Sequence, residues 1–332
     1  MRGANQAGDA TMTSAPHAGH AMGVTAVVLT LLGWTSIPLF LRFFTKDIDA
    51  WTANGWRYAL SALIWAPVLG WVMLRGSAPA GLWRAALVPS LFNAGGQICF
   101  GLAPYYIEPG LMTFSLRLQI VFVAFGAAFL FAAERRVIRT PLFLIGLSMV
   151  VVGTLATVLQ RPGGLGGGTG LGVALAVLSG LLYAAYALSV RKWMMGMNPI
   201  VAFAAVSQYT GAVLVLLMII LGRNLATGTW DGGLSALDLP GWKLWLLALS
   251  SLVGIGLGHT FYFFSIARLG LAVSASVVQL QPVTVSIASM LIFGEILTPG
   301  QWVFGALAIT GAGVILYAQA RTAAAAKRAE AA

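Results

Sequence analysis

The chain has 332 residues, 59% of them hydrophobic and 8% charged, with a mean hydropathy of +0.89. That balance leaves too little polar surface to coat a soluble domain of this size, so the chain belongs in a bilayer. Its net charge of +10 is spread over short loops without a continuous basic stripe, which argues against a nucleic-acid partner.

Residues 1–20 (MRGANQAGDATMTSAPHAGH) are small and polar and are expected to form a disordered cytoplasmic tail. They lack the charged start of a secretory signal, and His17 and His20 have no Cys or carboxylate cluster with which to hold a metal. About ten apolar runs of the length needed to span the hydrocarbon then follow. They fall near residues 21–41, 52–74, 84–106, 109–132, 141–160, 170–190, 199–221, 242–266, 270–293 and 298–320. Because the runs are continuous rather than alternating, the predicted fold is an all-α integral membrane protein and not a β-barrel. Residues 321–332 form a second cytoplasmic tail.

The loops give this bundle an orientation. Under the ten-span reading, 12 of the 19 Lys and Arg fall on one side and five on the other, while Arg57 and Arg117 lie within spans. By the positive-inside rule both termini are cytoplasmic, and the expected location is a bacterial inner membrane. The one cysteine, Cys99, sits inside the third span and reads as packing.

The spans also repeat. Gly23–Arg42 aligns without gaps on Gly172–Arg191, placing Trp34 opposite Tyr183, and the decapeptide from Gly110 aligns on that from Gly270, placing Gln119 opposite Gln279. Between these blocks the offset grows from 149 to 160 residues, and the extra length falls in the loop Gly222–Pro240. The expected organisation is therefore repeat 1 over 21–160, a Gly-rich linker over 161–169, and repeat 2 over 170–320. Five spans per repeat is an odd number, so the second copy runs through the membrane in the opposite sense. Inverted repeats of this kind are a recurrent transporter plan, with substrate near the midplane and alternating access.

Each half resembles an EamA module of the drug/metabolite transporter superfamily. The resemblance rests on Gly33 and Trp34 or Tyr183 in the first span, Arg57 in the second, Gly-Leu opening the fourth, and the segment GEILTPGQWVFGALAITGAGVILY from Gly294 to Tyr317. It covers roughly residues 21–320 and implies a ten-helix secondary carrier with cytoplasmic ends. Within the superfamily the chain is similar to YddG-like exporters of aromatic and other neutral amino acids. It departs from a strict repeat at Gln208, near where a second Arg57 would fall, and at Pro282, which has Phe122 opposite.

Several intramembrane residues are candidates for cargo contact. Arg117 needs a water-filled or protein-lined setting at its depth, and with Gln119 it offers donors for a carboxylate; the bland alternative is a salt bridge to Glu108. Arg57 is expected to snorkel or to pair with Asp47 or Asp49. His259, Gln97, Gln279 and Gln281 are polar groups that require partners, and Pro282 should kink the ninth span by freeing the Val278 carbonyl. Trp34, Tyr183 and Tyr262 are placed to stack on a flat cargo, although ordinary helix packing accounts for each equally well. Gly254 and Gly258 form a small-xxx-small face for close helix contact and hinge motion.

The expected function is export of small metabolites, with amino acids first, by a monomeric carrier in membrane lipid that needs no cofactor or metal. With no carboxylate inside a span, facilitated efflux is favoured over proton coupling. The alternatives are uptake, a drug, sugar-nucleotide or lipid cargo, or an intramembrane enzyme, for which one buried His without an acidic partner is a poor start.

Overall fold

The computed structural model describes residues 15–269 and 271–331; the expected tail over residues 1–14 lies outside them. Among the described residues, ten helices are long and apolar enough to cross a membrane. They are α1 (His20–Phe44), α2 (Ala50–Leu74), α3 (Leu82–Tyr105), α4 (Pro109–Leu130), α5 (Pro141–Leu159), α6 (Thr169–Trp193), α7 (Pro199–Leu221), α8 (Gly241–Ile266), α9 (Val273–Phe293) and α10 (Pro299–Thr322). The helix containing α1 already opens at Ala15, so residues 15–20 extend it instead of forming an unstructured tail. At the other end helix continues from α10 to Ala331.

Short polar signals start these helices. Asp49 caps α2 by accepting from the Trp51 and Thr52 backbone N–H groups, and Asn198 does the same for α7 through Ile200 and Val201. Proline stands at the first turn of α4, α5 and α7, where its missing N–H has no partner to lose. The Gly-rich linker before α6 uses left-handed backbone at Gly163, Gly164, Gly167 and Gly168, and it is held to the start of α4 by Arg161, whose Nη2 lies 2.7 Å from Glu108 Oε1.

The main helix pairs are α5 with α10, α2 with α7, α3 with α6, and α1 with α8. The second half of α4 also packs on α6, and α9 packs on both α1 and the first half of α4. In the α5–α10 seam backbone meets backbone: a Cβ built on Gly153 would stand 2.6 Å from the Ala308 nitrogen and 2.7 Å from the Phe304 oxygen. Ion pairs gather at helix ends. Arg42 meets Glu295 at 2.7 Å and donates to the Pro104 carbonyl, and Lys243 meets Asp47 at 2.6 Å. The long loop after α7 is packed rather than loose: Trp56 Nε1 donates to the Gly233 carbonyl at 2.9 Å, and Asp231 accepts from the Gly233 and Ser235 backbone.

Three spans are irregular. α4 breaks between the helical segments Pro109–Leu116 and Gln119–Leu130, and α9 breaks between Leu271–Val278 and Gln281–Phe293. In α8 the residues Ser251–Leu257 form a π-helical turn immediately before His259. The two breaks fall in the two spans that the sequence alignment pairs.

Candidate functional site

The two broken spans meet through one side chain. At the α4 break the Arg117 N–H turns to the Phe114 carbonyl, so Thr113 O loses its helical donor. The Arg117 side chain folds back to fill that role, with Nε 3.4 Å from Thr113 O. Its two terminal nitrogens reach across to α9: Nη1 donates to Gln279 Oε1 at 3.0 Å and Nη2 to Gln281 Oε1 at 2.7 Å. Gln281 passes the connection on, because its Nε2 donates to the Trp34 carbonyl of α1 at 2.8 Å. Gln281 is buried, as is Pro282, which removes the donor that Val278 O would otherwise have. The kink expected beside Pro282 is present. The matching break in α4 occurs with Phe122 at the aligned position and is made by Arg117 itself.

Glu108 is not the partner of Arg117; it binds Arg161, and both terminal nitrogens of Arg117 go to neutral glutamine carbonyls instead. A guanidinium keeps its charge under all conditions of interest, so this centre is a cation balanced by no carboxylate among the described residues. Three of its five N–H groups are engaged.

An aromatic chain starts at the same point. The Trp34 ring lies 5.0 Å from Tyr262 and 5.3 Å from His259; His259 stacks on Phe203 at 4.5 Å and 17°; and Phe203 meets Trp65 edge-on at 5.4 Å. Four spans, α1, α2, α7 and α8, thus contribute to one row of rings. His259 Nδ1 lies 3.1 Å from Ile255 O, the carbonyl one turn earlier, so that hydrogen bond fixes the ring locally. The close helix contact expected at Gly254 and Gly258 is present: a Cβ on Gly258 would come within 2.7 Å of Trp34 Nε1, and one on Gly254 within 2.4 Å of Ile37 Cγ1. These two glycines therefore set how near α8 approaches α1, and with it the spacing of the rings.

The remaining candidates stand elsewhere. Tyr183 of α6 lies against Gly96 and 6.1 Å from the Phe100 ring of α3. Gln97 is engaged through its backbone carbonyl, which accepts from Asn54 Nδ2 at 2.9 Å. Gln119 opens the second segment of α4 beside Gly180 of α6. Arg57 neither snorkels nor pairs with Asp47 or Asp49. Lys243 takes Asp47, Asp49 caps α2, and Arg57 is 1% exposed with Nε 3.0 Å from Ser250 Oγ.

Sequence reading missed Trp65, Phe203 and the setting of Arg57. The available signal was a stripe on the second span, Asn54, Arg57, Ser61 and Trp65, which recurs at helical spacing and so marks one face. Ser61 on that face meets Ser207 of α7 at 3.1 Å. Two hollows open away from the Arg117 centre. An apolar groove of about 500 Å³ runs between α4, α5 and α6, and one of about 240 Å³ at the start of α7 reaches Phe203 at the aromatic chain.

These features define a multi-pass helical membrane protein with a charged, aromatic-lined interior. Residues 170–317 match the EamA-like transporter family. That match spans a little under half of the chain, and the ten apolar helices among the described residues are consistent with a membrane protein of that type. A solved crystal structure shares the fold with a TM-score of 0.58 at 16% identity, over 90% of this chain and 96% of that one. No curated protein matches the sequence.

Proposed function

We propose that this protein is a secondary carrier that exports small carboxylate-bearing metabolites, amino acids first, by alternating access around a site near the bilayer midplane. The observation that carries this reading is the pair of buried intramembrane arginines, Arg57 and Arg117, with no carboxylate partner among the described residues. A cation in hydrocarbon is costly, and one left without a protein counter-ion suits a cargo that brings the negative charge. Trp34, His259, Tyr262, Phe203 and Trp65 supply an aromatic wall of mostly tilted and edge-on rings for a side chain, with Arg117, Gln279 and Gln281 as the polar floor.

The helix pairing supports the two-repeat plan. Exchanging each span with the one five places on leaves α2–α7 and α5–α10 unchanged and turns α3–α6 into α8–α1. Breaks in the aligned spans α4 and α9 give the halves matched points about which to rock. Opposite insertion of the halves, cytoplasmic termini and a bacterial inner membrane belong to the same proposal. Counterflow of labelled neutral amino acids in proteoliposomes tests it: exchange without chemical change is expected. Exchange of nucleotide sugars or cationic drugs with no amino-acid flux would overturn the cargo assignment.

A further inference from the structure

The two buried arginines differ in what they leave open. All three nitrogens of Arg117 are hydrogen-bonded, whereas Arg57 uses only Nε, and its Nη1 and Nη2 have no partner. Ser250 adds nothing further, because its hydroxyl donates to Leu247 O at 2.7 Å and can only accept from Arg57. One turn earlier on the same face of α2, Asn54 is 3% exposed and its Oδ1 is likewise without a partner. The amide orientation is fixed: its Nδ2 points at the Gln97 carbonyl, 2.9 Å away, which can only accept. Gly101 makes this approach possible, since a Cβ there would lie 1.9 Å from Asn54 Nδ2.

Side chains three apart on a helix are neighbours, with Cβ atoms roughly 5–6 Å apart. The face therefore presents a two-pronged cationic donor beside a single acceptor. A carboxylate matches the first and an ammonium the second. A purely anionic cargo would leave Asn54 Oδ1 unpaired, and a purely cationic one would meet Arg57. A molecule carrying both groups on one carbon satisfies all three orphaned positions. We propose that Asn54 and Arg57 form the head-group subsite for a zwitterionic α-amino acid, with the carboxylate on Arg57 and the ammonium on Asn54 Oδ1. Tyr183 and Gln97 flank this subsite from α6 and α3. The orphaned atoms are covered in this conformation, so the subsite is closed and opens when α2 parts from its neighbours.

The inference rests on the carrier reading and is tested apart from it. Full-length purified protein is titrated with L-phenylalanine, L-phenylalaninamide and N-acetyl-L-phenylalanine, following ligand-dependent melting, and the same compounds compete in counterflow across a panel of neutral amino acids. In the wild type, both blocked derivatives should bind roughly tenfold or more weakly than the free amino acid: the amide offers one oxygen where Arg57 has two free donors, and acetylation removes the ammonium charge and adds bulk against Asn54 in a closed site. Asn54→Leu should erase the difference between phenylalanine and its N-acetyl form, and Arg57→Lys should retain part of the affinity that Arg57→Met loses. If wild-type protein exchanges amino acids but does not distinguish them from their amides, or Arg57→Met binds them normally, the subsite is wrong and the carrier reading stands. If wild-type protein exchanges none of them, both fall. The analogue comparison uses only wild-type protein, so a misfolded Arg57 variant does not blunt the test.

Discussion

Replacing Gln281 with Met keeps the volume of the side chain and removes both ends of its bridge. The oxygen lost is 2.7 Å from Arg117 Nη2 and the nitrogen lost is 2.8 Å from the Trp34 carbonyl. A hydrogen bond to a charged group contributes about 1.5–3 kcal/mol and a neutral one about 0.5–1.5 kcal/mol, so Gln281→Met should destabilise the protein by about 2–4.5 kcal/mol. Arg117→Met removes the cation together with its partners' donors. It orphans two glutamine carbonyls but also relieves a burial cost of about 2.5–3.5 kcal/mol for a mid-span arginine, so its net effect should be smaller, about 0–2 kcal/mol. The double variant should then be less destabilised than the two singles added together, with a coupling of about 1.5–3 kcal/mol carried by the Nη2–Oε1 bond. Reversible unfolding in mixed micelles of the wild type, both singles and the double gives this number directly. Coupling under about 0.5 kcal/mol would mean that the link between the two broken helices carries no energy, and the account of the Arg117 centre would fail.

Gly153→Ala should cost about 1–3 kcal/mol, because its new methyl meets Ala308 and Phe304 backbone that cannot rotate away; an unchanged melting temperature would refute the α5–α10 packing. Gly101→Ala should displace Asn54 from the Gln97 carbonyl and weaken amino-acid exchange by more than it lowers stability, read as counterflow rate against melting temperature. At Glu108 burial alone would raise the carboxyl, but the hydrogen bonds and charge of Arg161 outweigh it and hold it below 4.5, while Glu108 holds Arg161 up. A depressed acid stabilises the fold above its unfolded value and loses that contribution as pH falls through the folded value. The wild type should therefore exceed Glu108→Gln in stability by about 0–1 kcal/mol at neutral pH, and the gap should close below pH 4.5. A gap that widens on acidification would reverse the assignment.

Span number and span ends were legible because a run of apolar residues has a length, and length is what the hydrocarbon selects. Breaks within a run carry no such mark. Pro282 announced the one in α9 through its missing N–H, but Arg117 interrupts α4 by contacts to Gln279 and Gln281 that lie over 160 residues away in sequence, as their numbering shows. Arg117, Gln279 and Gln281 were each legible as candidates because polar atoms at that depth need partners, but their pairing with one another was not, and Arg117 was set instead with Gln119 and Glu108. Trp65 and Phe203 were lost among 36 aromatics, since in a bundle where lipid and core are both apolar a ring gives no sign of which way it faces. Arg57 was misjudged for a related reason: acids near in sequence, Asp47 and Asp49, were already committed to Lys243 and to the α2 cap.

The π-helical turn at Ser251–Leu257 gives α8 one more residue than an α-helix of the same rise would hold. Everything beyond it, His259 and Tyr262 included, owes its angular phase to that surplus residue. Closing that turn to regular α-helix without removing a residue would swing the downstream rings by about 100°, whereas deleting one residue there lets the span straighten with their phase kept. The aromatic row is thus encoded as a count as much as a composition: a one-residue deletion within this turn leaves the rings in phase, whereas the same deletion in the regular helix just beyond it turns them by about 100°. Related chains should accordingly be compared here by gap placement before identity.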